Sequence, residues 1–133
     1  MKIISIIVAV TILGFASHLA SSSAGIAFTA VFDLVSFLIV VVPSYLYTST
    51  KFNSLNFFNN QDAIKDFGNS AMGFAYIGTV LGFVYMLAGM SKPVPPGVNS
   101  SELLASSLAV AILTILYGLI IKYLVCGAFI KDN

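Results

Sequence analysis

Thr79 and Thr114 are the residues best placed to do chemistry in an unusual setting. Each interrupts a long apolar run, IGTVLGFVYMLAGM (77–90) and SLAVAILTILYGLI (107–120). A hydroxyl has one proton to donate and two lone pairs to accept with. Inside an apolar helix it can bond a carbonyl of its own helix. It can also line a polar path between helices, facing an ion's hydration shell or a carboxylate. The ionisable residues stand elsewhere. Asp33 and Glu102 open apolar runs, Asp62 and Asp66 fall in a polar linker, and Asp132 is in the tail. No carboxylate falls in the middle of a run. Lys122 follows Gly118 by four residues and reads as a lysine that extends its head to the interface.

Other chemistries find little support. His18 has no Cys, Asp or Glu near it in sequence and reads as an interfacial residue rather than a metal ligand. Cys126 is the only cysteine, which excludes an intrachain disulfide and a cysteine metal cage. It reads as a small buried hydrophobe. There is no phosphate-binding loop, no HExxH and no nucleophile elbow. The expectation is a protein that is not an enzyme and takes no cofactor or metal. No basic tract points to nucleic acid, and the net charge is only +1.

The elements that must position the threonines are membrane helices. Of 133 residues, 59% are hydrophobic and 8% charged, against about 25% charged in an average soluble domain. One soluble core could not hide so much apolar surface, so much of it must face lipid. Four apolar segments are expected, at about 3–20, 34–50, 71–90 and 103–126. A helix needs roughly 20 residues to cross a bilayer, and the second segment approaches that only with its flanks. Membrane strands would alternate apolar and polar residues, which these do not. The fold class is therefore an all-α membrane protein, a single four-helix transmembrane domain over residues 1–133.

The linkers carry the punctuation. SSSAG (21–25) breaks the first pair of spans, and Asp33 is placed to cap the second. The stretch 51–70 is the one long polar linker. Pro93, Pro95, Pro96 and Gly97 stop helix continuation after the third span. Ser100 or Ser101 can cap the fourth, and Glu102 suits its positive N-terminal end. Lys2, Lys51, Lys65 and Lys131 fall on one side of a four-span arrangement, Lys92 on the other. The positive-inside rule then makes both termini and 51–70 cytoplasmic, with Tyr45, Tyr47 and Tyr123 near the inner interface. A rival reading takes the first 25 residues as a signal peptide cleaved after Ser22. That would leave three spans and termini on opposite sides.

Small residues recur at helical spacing. Ala71, Ala75, Gly78, Gly82 and Gly89 fall near one face of the third span, and Gly78 and Gly82 form a GxxxG pair. Ser107, Ala111, Thr114 and Gly118 follow at steps of four, three and four in the fourth. Within lipid, close backbone approach between small residues favours helix association. Spans three and four are expected to pack tightly, on each other or on neighbouring subunits.

These residues carry a resemblance. IGTVLGFVYMLAGM (77–90) and SLAVAILTILYGLI (107–120) resemble the third and fourth spans of the MotA/TolQ/ExbB proton-channel family, MotA-type stator subunits most closely. FDLVSFLIVVVPS (32–44) is similar to its second span, which tends to an Asp-x-Pro-Ser element followed by an Ile-Val run. The resemblance implies an oligomer, usually a pentamer, around a central pore. The pore holds a single-span partner of MotB/TolR/ExbD type carrying a membrane aspartate. It implies Thr79 and Thr114 facing that acid in a proton or sodium path, and a place in the bacterial inner membrane. The chain departs from the family in three ways. Thr114 is followed by Ile115 where two adjacent threonines are common, and the second is the more consistent ion-path residue. Val42-Pro43 stands where a Gly-Gly pair is common. The large cytoplasmic portion that touches the rotor in flagellar stators is missing.

Three functions compete. The first is an ion-channel subunit of such an energy-transducing motor complex. The second is a non-conducting oligomeric membrane scaffold of the same fold, with Ile115 closing the path. The third is a small four-helix transporter, which needs a membrane carboxylate for coupling.

Overall fold

The structure is a computed structural model that describes residues 2–25, 32–91, 93, 97 and 99–130. Residues 26–31, Lys92, Pro95, Pro96, Lys131 and Asp132 lie outside the described residues, as do the side chains of Lys2 and Glu102. Much of the expected turn at 91–102 and part of the orientation argument fall there.

The described chain is helical. α1 spans Lys2–Ala24, α2 Leu34–Lys51, α3 Gln61–Met90 and α4 Ser100–Leu119. A π-helical turn, Ile120–Val125, carries α4 into a short α5, Cys126–Phe129. Four stretches, the last running through α4, the π turn and α5, are long and apolar enough to cross a membrane. The chain is thus a multi-pass membrane protein by composition and helix length.

One boundary differs clearly from the sequence reading. α3 begins at Gln61, ten residues before the expected span, because Asn60 caps it with its side-chain oxygen. The Asp62 and Ala63 amides donate to that oxygen at 3.0 and 3.4 Å. The added turns are amphipathic: Ala63, Ile64 and Phe67 are buried while Asp62 and Lys65 are exposed. The polar linker is therefore partly helix, and only 52–60 joins α2 to α3. Pro43 sits inside α2, where the helix continues through it. Beside it the Ser44 hydroxyl bonds the Val40 carbonyl.

α2, α3 and α4 form one packed unit, while α1 meets the rest mainly at α5. The register follows from cross-helix contacts. Lys51 pairs with Asp66, and the hydroxyls of Thr48 and Ser70 are 3.3 Å apart. Ile39 and Thr114 both close on Gly78, and Ala111 closes on Gly82. α3 therefore runs antiparallel to both α2 and α4, which are parallel to each other. Ser36 reaches the Val110 carbonyl at 3.3 Å, so α2 begins level with Val110 and Gly82. α3 continues eight residues further, about 12 Å at 1.5 Å per residue, and α4 starts ten residues earlier, about 15 Å. The head of α2 is thus recessed below the adjacent ends of its two neighbours.

A second cluster closes the opposite end. Phe57, in the α2–α3 connection, is almost fully buried. It packs on Tyr45, Phe58 and Phe67 with ring centroids 4.9–5.6 Å apart. The Tyr45 hydroxyl donates to the Leu55 carbonyl at 2.6 Å, fixing the connection to α2.

Candidate functional site

The centre of the bundle is a seam between α3 and α4 with almost no side-chain bulk. A Cβ built on Gly82 would come within 2.7 Å of the Ala111 Cβ and 3.0 Å of its Cα. One on Gly118 would meet the Ala75 Cβ at 2.6 Å and the Ala71 carbonyl oxygen at 3.2 Å. One on Gly78 would meet Ile39 and Thr114 side chains at 2.9 Å. Ala71, Ala75 and Ala111 are fully buried in the same seam. Of the predicted packing residues, Gly78, Gly82, Ala111 and Gly118 stand in direct helix contact, and Ser107 is half-buried. Gly89 is different: nothing would lie within 4 Å of its Cβ. It shares the face of Gly82, but it lies one further turn pair along α3, beyond the close approach.

Gly68 was not singled out from sequence because it lies in the polar stretch before the apolar run. It extends the seam, with the Cys126 Sγ 3.1 Å from where a Cβ would stand.

The two threonines meet inside this seam. Their hydroxyl oxygens are 3.1 Å apart. The Thr114 hydroxyl donates to the Ala111 carbonyl at 2.8 Å. The Thr79 oxygen lies 2.9 Å from the Ala75 carbonyl and 3.0 Å from the Ala111 carbonyl. Thr114 is fully buried, and Thr79 is only partly so. Each hydroxyl has a single proton, and carbonyl acceptors for both lie within the chain. With its proton on either carbonyl, the partly buried Thr79 oxygen keeps capacity to accept from a molecule outside the chain. Such a group suits a protonated acid or a cation and does not suit an anion. Thr79 lies eleven residues from the Met90 end of α3, about 16 Å, near the middle of a bilayer core about 30 Å thick.

A second polar group lies at the head of α2. Asp33 caps the helix: its Oδ2 accepts from the Ser36 amide at 2.8 Å and from the Ser36 hydroxyl. The Asp33 amide donates to the Tyr117 hydroxyl at 2.8 Å, and the Tyr117 ring stands edge-on to Phe37. The expectation that Asp33 caps the second span holds. Because α2 begins level with Val110, Asp33 stands a few residues inside the Leu104 end of the fourth apolar stretch, Leu104–Phe129. Tyr117 and Ser36 were not recognised from sequence. The available signal was the shortness of the second span.

Lys122 lies in the π turn with its ammonium 5.6 Å from the Tyr123 ring centroid. Cys126 is buried, and no group of three metal-ligating side chains occurs among the described residues. Comparison with protein-family models, with curated proteins and with solved structures finds no match to this chain.

Proposed function

We propose that this chain is a membrane-embedded proton- or sodium-channel subunit of a MotA/TolQ/ExbB-type energy-transducing complex. It assembles as a homo-oligomer, a pentamer by resemblance, around a single-span partner that carries a membrane aspartate. Both termini face the cytoplasm of a bacterial inner membrane. The observation that supports this reading is the Thr79–Thr114 pair. It sits at mid-depth, acceptors for its protons lie within the chain, and Thr79 is only partly buried. That arrangement suits the protonated carboxyl of a partner helix. The glycines around it let α3 and α4 hold the two hydroxyls together without a bulky side chain between them.

A specific feature favours the scaffold reading as the second choice. Thr114 is wholly buried and bonded to a backbone carbonyl, and Ile115 follows it where a further threonine would extend the path. Flux through proteoliposomes holding the chain and its single-span partner separates the two. Thr79→Val keeps the shape and removes the hydroxyl, so flux is expected to fall severalfold with the oligomer intact. Full flux with both threonines replaced by valine defeats the pore-lining role. No flux in the unmodified, assembled complex favours the scaffold.

A further inference from the structure

The face of α3 that carries Asp66 and Gly73 has no role in that reading. We propose that the groove between α2 and α3 at their Lys51–Asp66 end binds the headgroup of an amine-bearing phospholipid of the phosphatidylethanolamine type. The ammonium lies on Asp66 and the phosphate on Lys51.

Three observations carry this. The first is the grading of the groove, whose volume is about 350 Å³. Asp66, Asn69 and Ser70 line one end, and Gly73, Phe74 and Ile77 the other. Asp66, Asn69, Gly73 and Ile77 follow at steps of three and four, so they share one face of α3 over about 16 Å. The polar end lies where the charged, exposed residues Lys51, Asp62 and Lys65 gather. The other end lies against the apolar run. A soluble amine would use only the polar half, whereas a lipid uses both. The second observation is the open middle. A Cβ on Gly73 would meet nothing within 4 Å. Tyr47 of α2 stands edge-on to Phe74 across the groove, with ring centroids 6.5 Å apart. Aromatic rings beside a carboxylate favour an ammonium. The third is an orphan acceptor. Lys51 satisfies Oδ1 of Asp66, while Oδ2 is buried with no hydrogen-bond partner within the chain. A buried acceptor without a donor is costly. Asp66 is half-buried and lines the groove, so a turn of its carboxylate presents the second oxygen there.

The Lys51–Asp66 pair supplies both halves of the complement to a zwitterion. An ammonium on Asp66 releases Lys51, whose half-exposed side chain turns to the adjoining phosphate. The Ser70 hydroxyl donates to the Phe67 carbonyl at 2.9 Å, which leaves its oxygen as an acceptor, and the Asn69 side chain brings another. A primary ammonium has protons for these acceptors, and a trimethylammonium has none. The inference stands apart from the threonine pair. Thr79 bonds toward α4 through Ala111 and Thr114, whereas the groove is lined from α2 and α3 alone.

The test is native mass spectrometry of the full chain released from nanodiscs of phosphatidylethanolamine, phosphatidylcholine and phosphatidylglycerol in equal parts. Phosphatidylethanolamine is expected to stay bound severalfold more than either of the others. Asp66→Asn removes the carboxylate charge and should abolish that preference. Gly73→Leu fills the middle of the groove from open space, leaves the polar end intact, and should lower bound phosphatidylethanolamine severalfold. An unchanged preference in either variant overturns the inference, as does equal retention of the three lipids. Stronger retention of phosphatidylglycerol overturns it too, since Lys51 would then hold a phosphate by itself. Phosphorylethanolamine, the headgroup without chains, should not compete from solution. Full competition would assign the groove to a soluble amine and defeat the lipid. A change of oligomer mass in Gly73→Leu with no lipid preference in the unmodified chain would make the groove a contact between copies instead. Thr79→Val should leave bound lipid unchanged, so this inference and the channel reading fail independently.

Discussion

α1 and the α3–α4 seam are both built from strongly apolar sequence, yet they behave in opposite ways. None of the described side chains of α1 is buried, whereas the seam contains fully buried alanines, a fully buried threonine and three glycines in close contact. Apolarity therefore locates a helix in the membrane without saying what it packs on. α1 carries isoleucine, valine, leucine and phenylalanine around its whole circumference, and Gly14 is open, with nothing within 4 Å of a Cβ. The seam instead repeats small residues at steps of three and four. Lipid is as apolar as a leucine side chain, so small size and shape, not hydrophobicity, select the contact.

The glycines sharpen this contrast most. Gly118→Ala and Gly82→Ala each press a methyl group into a neighbouring helix, and leucine at either site does so more severely. Thermal unfolding in detergent should show losses at the upper end of the roughly 1–3 kcal/mol that overpacking costs. Gly14→Ala and Gly89→Ala meet open space, and each should be neutral or stabilising by up to about 1 kcal/mol, the helix advantage of alanine over glycine. Equal losses at Gly14 and Gly118 would erase the distinction between the two regions.

The hydroxyl pair should contribute less. Membrane hydrogen bonds between helices average about 0.6 kcal/mol and reach about 1.7. Thr114→Val is expected near the upper figure because its hydroxyl is fully buried, and Thr79→Val near the lower. A double-mutant cycle on the two should show coupling, since they share the Ala111 carbonyl. Additive losses would mean that the bond between them is not made.

The smallest effect is expected at the Lys51 end of α2. Asp66→Asn removes the ion pair with Lys51, whose side chain is half-exposed. Exposed pairs are worth about 0–1 kcal/mol, so unfolding should shift little, and less still in high salt. A large, salt-independent loss would make the Lys51 end of α2 part of the stability of the seam.

Much of this contrast is legible in the sequence. Four apolar lengths give the spans, and steps of three and four give the seam, because both depend on residues close together in the chain. Gly89 has the right spacing but lies where the helices no longer touch, and helix crossing is not encoded by the spacing of a single helix. The recess of α2 between its neighbours is hidden for a similar reason. It depends on the difference in length between α2 and its neighbours and on their register, which is set by contacts such as Lys51–Asp66 and Ser36–Val110. The early start of α3 is partly legible, because Asn60 and Asp62 are ordinary helix-start residues, but they lie in a stretch whose polarity reads as a linker.

The π turn at Ile120–Val125 alters the phase of the fourth span. Down the seam the contact residues step from 107 to 111, 114, 118 and 121. A continued α-helix would next bring residue 125 to the same face. With the wider turn, the Cys126 amide bonds the Ile121 carbonyl, and Cys126 takes the inward place while Val125 turns out, 41% exposed. A branched valine would face Gly68, where even a sulfur sits within 3.1 Å of the Cβ position. The extra residue thus acts as a local change of pitch. It lets the small-residue contact continue past the end of the regular helix, one position out of step with the pattern that announced it.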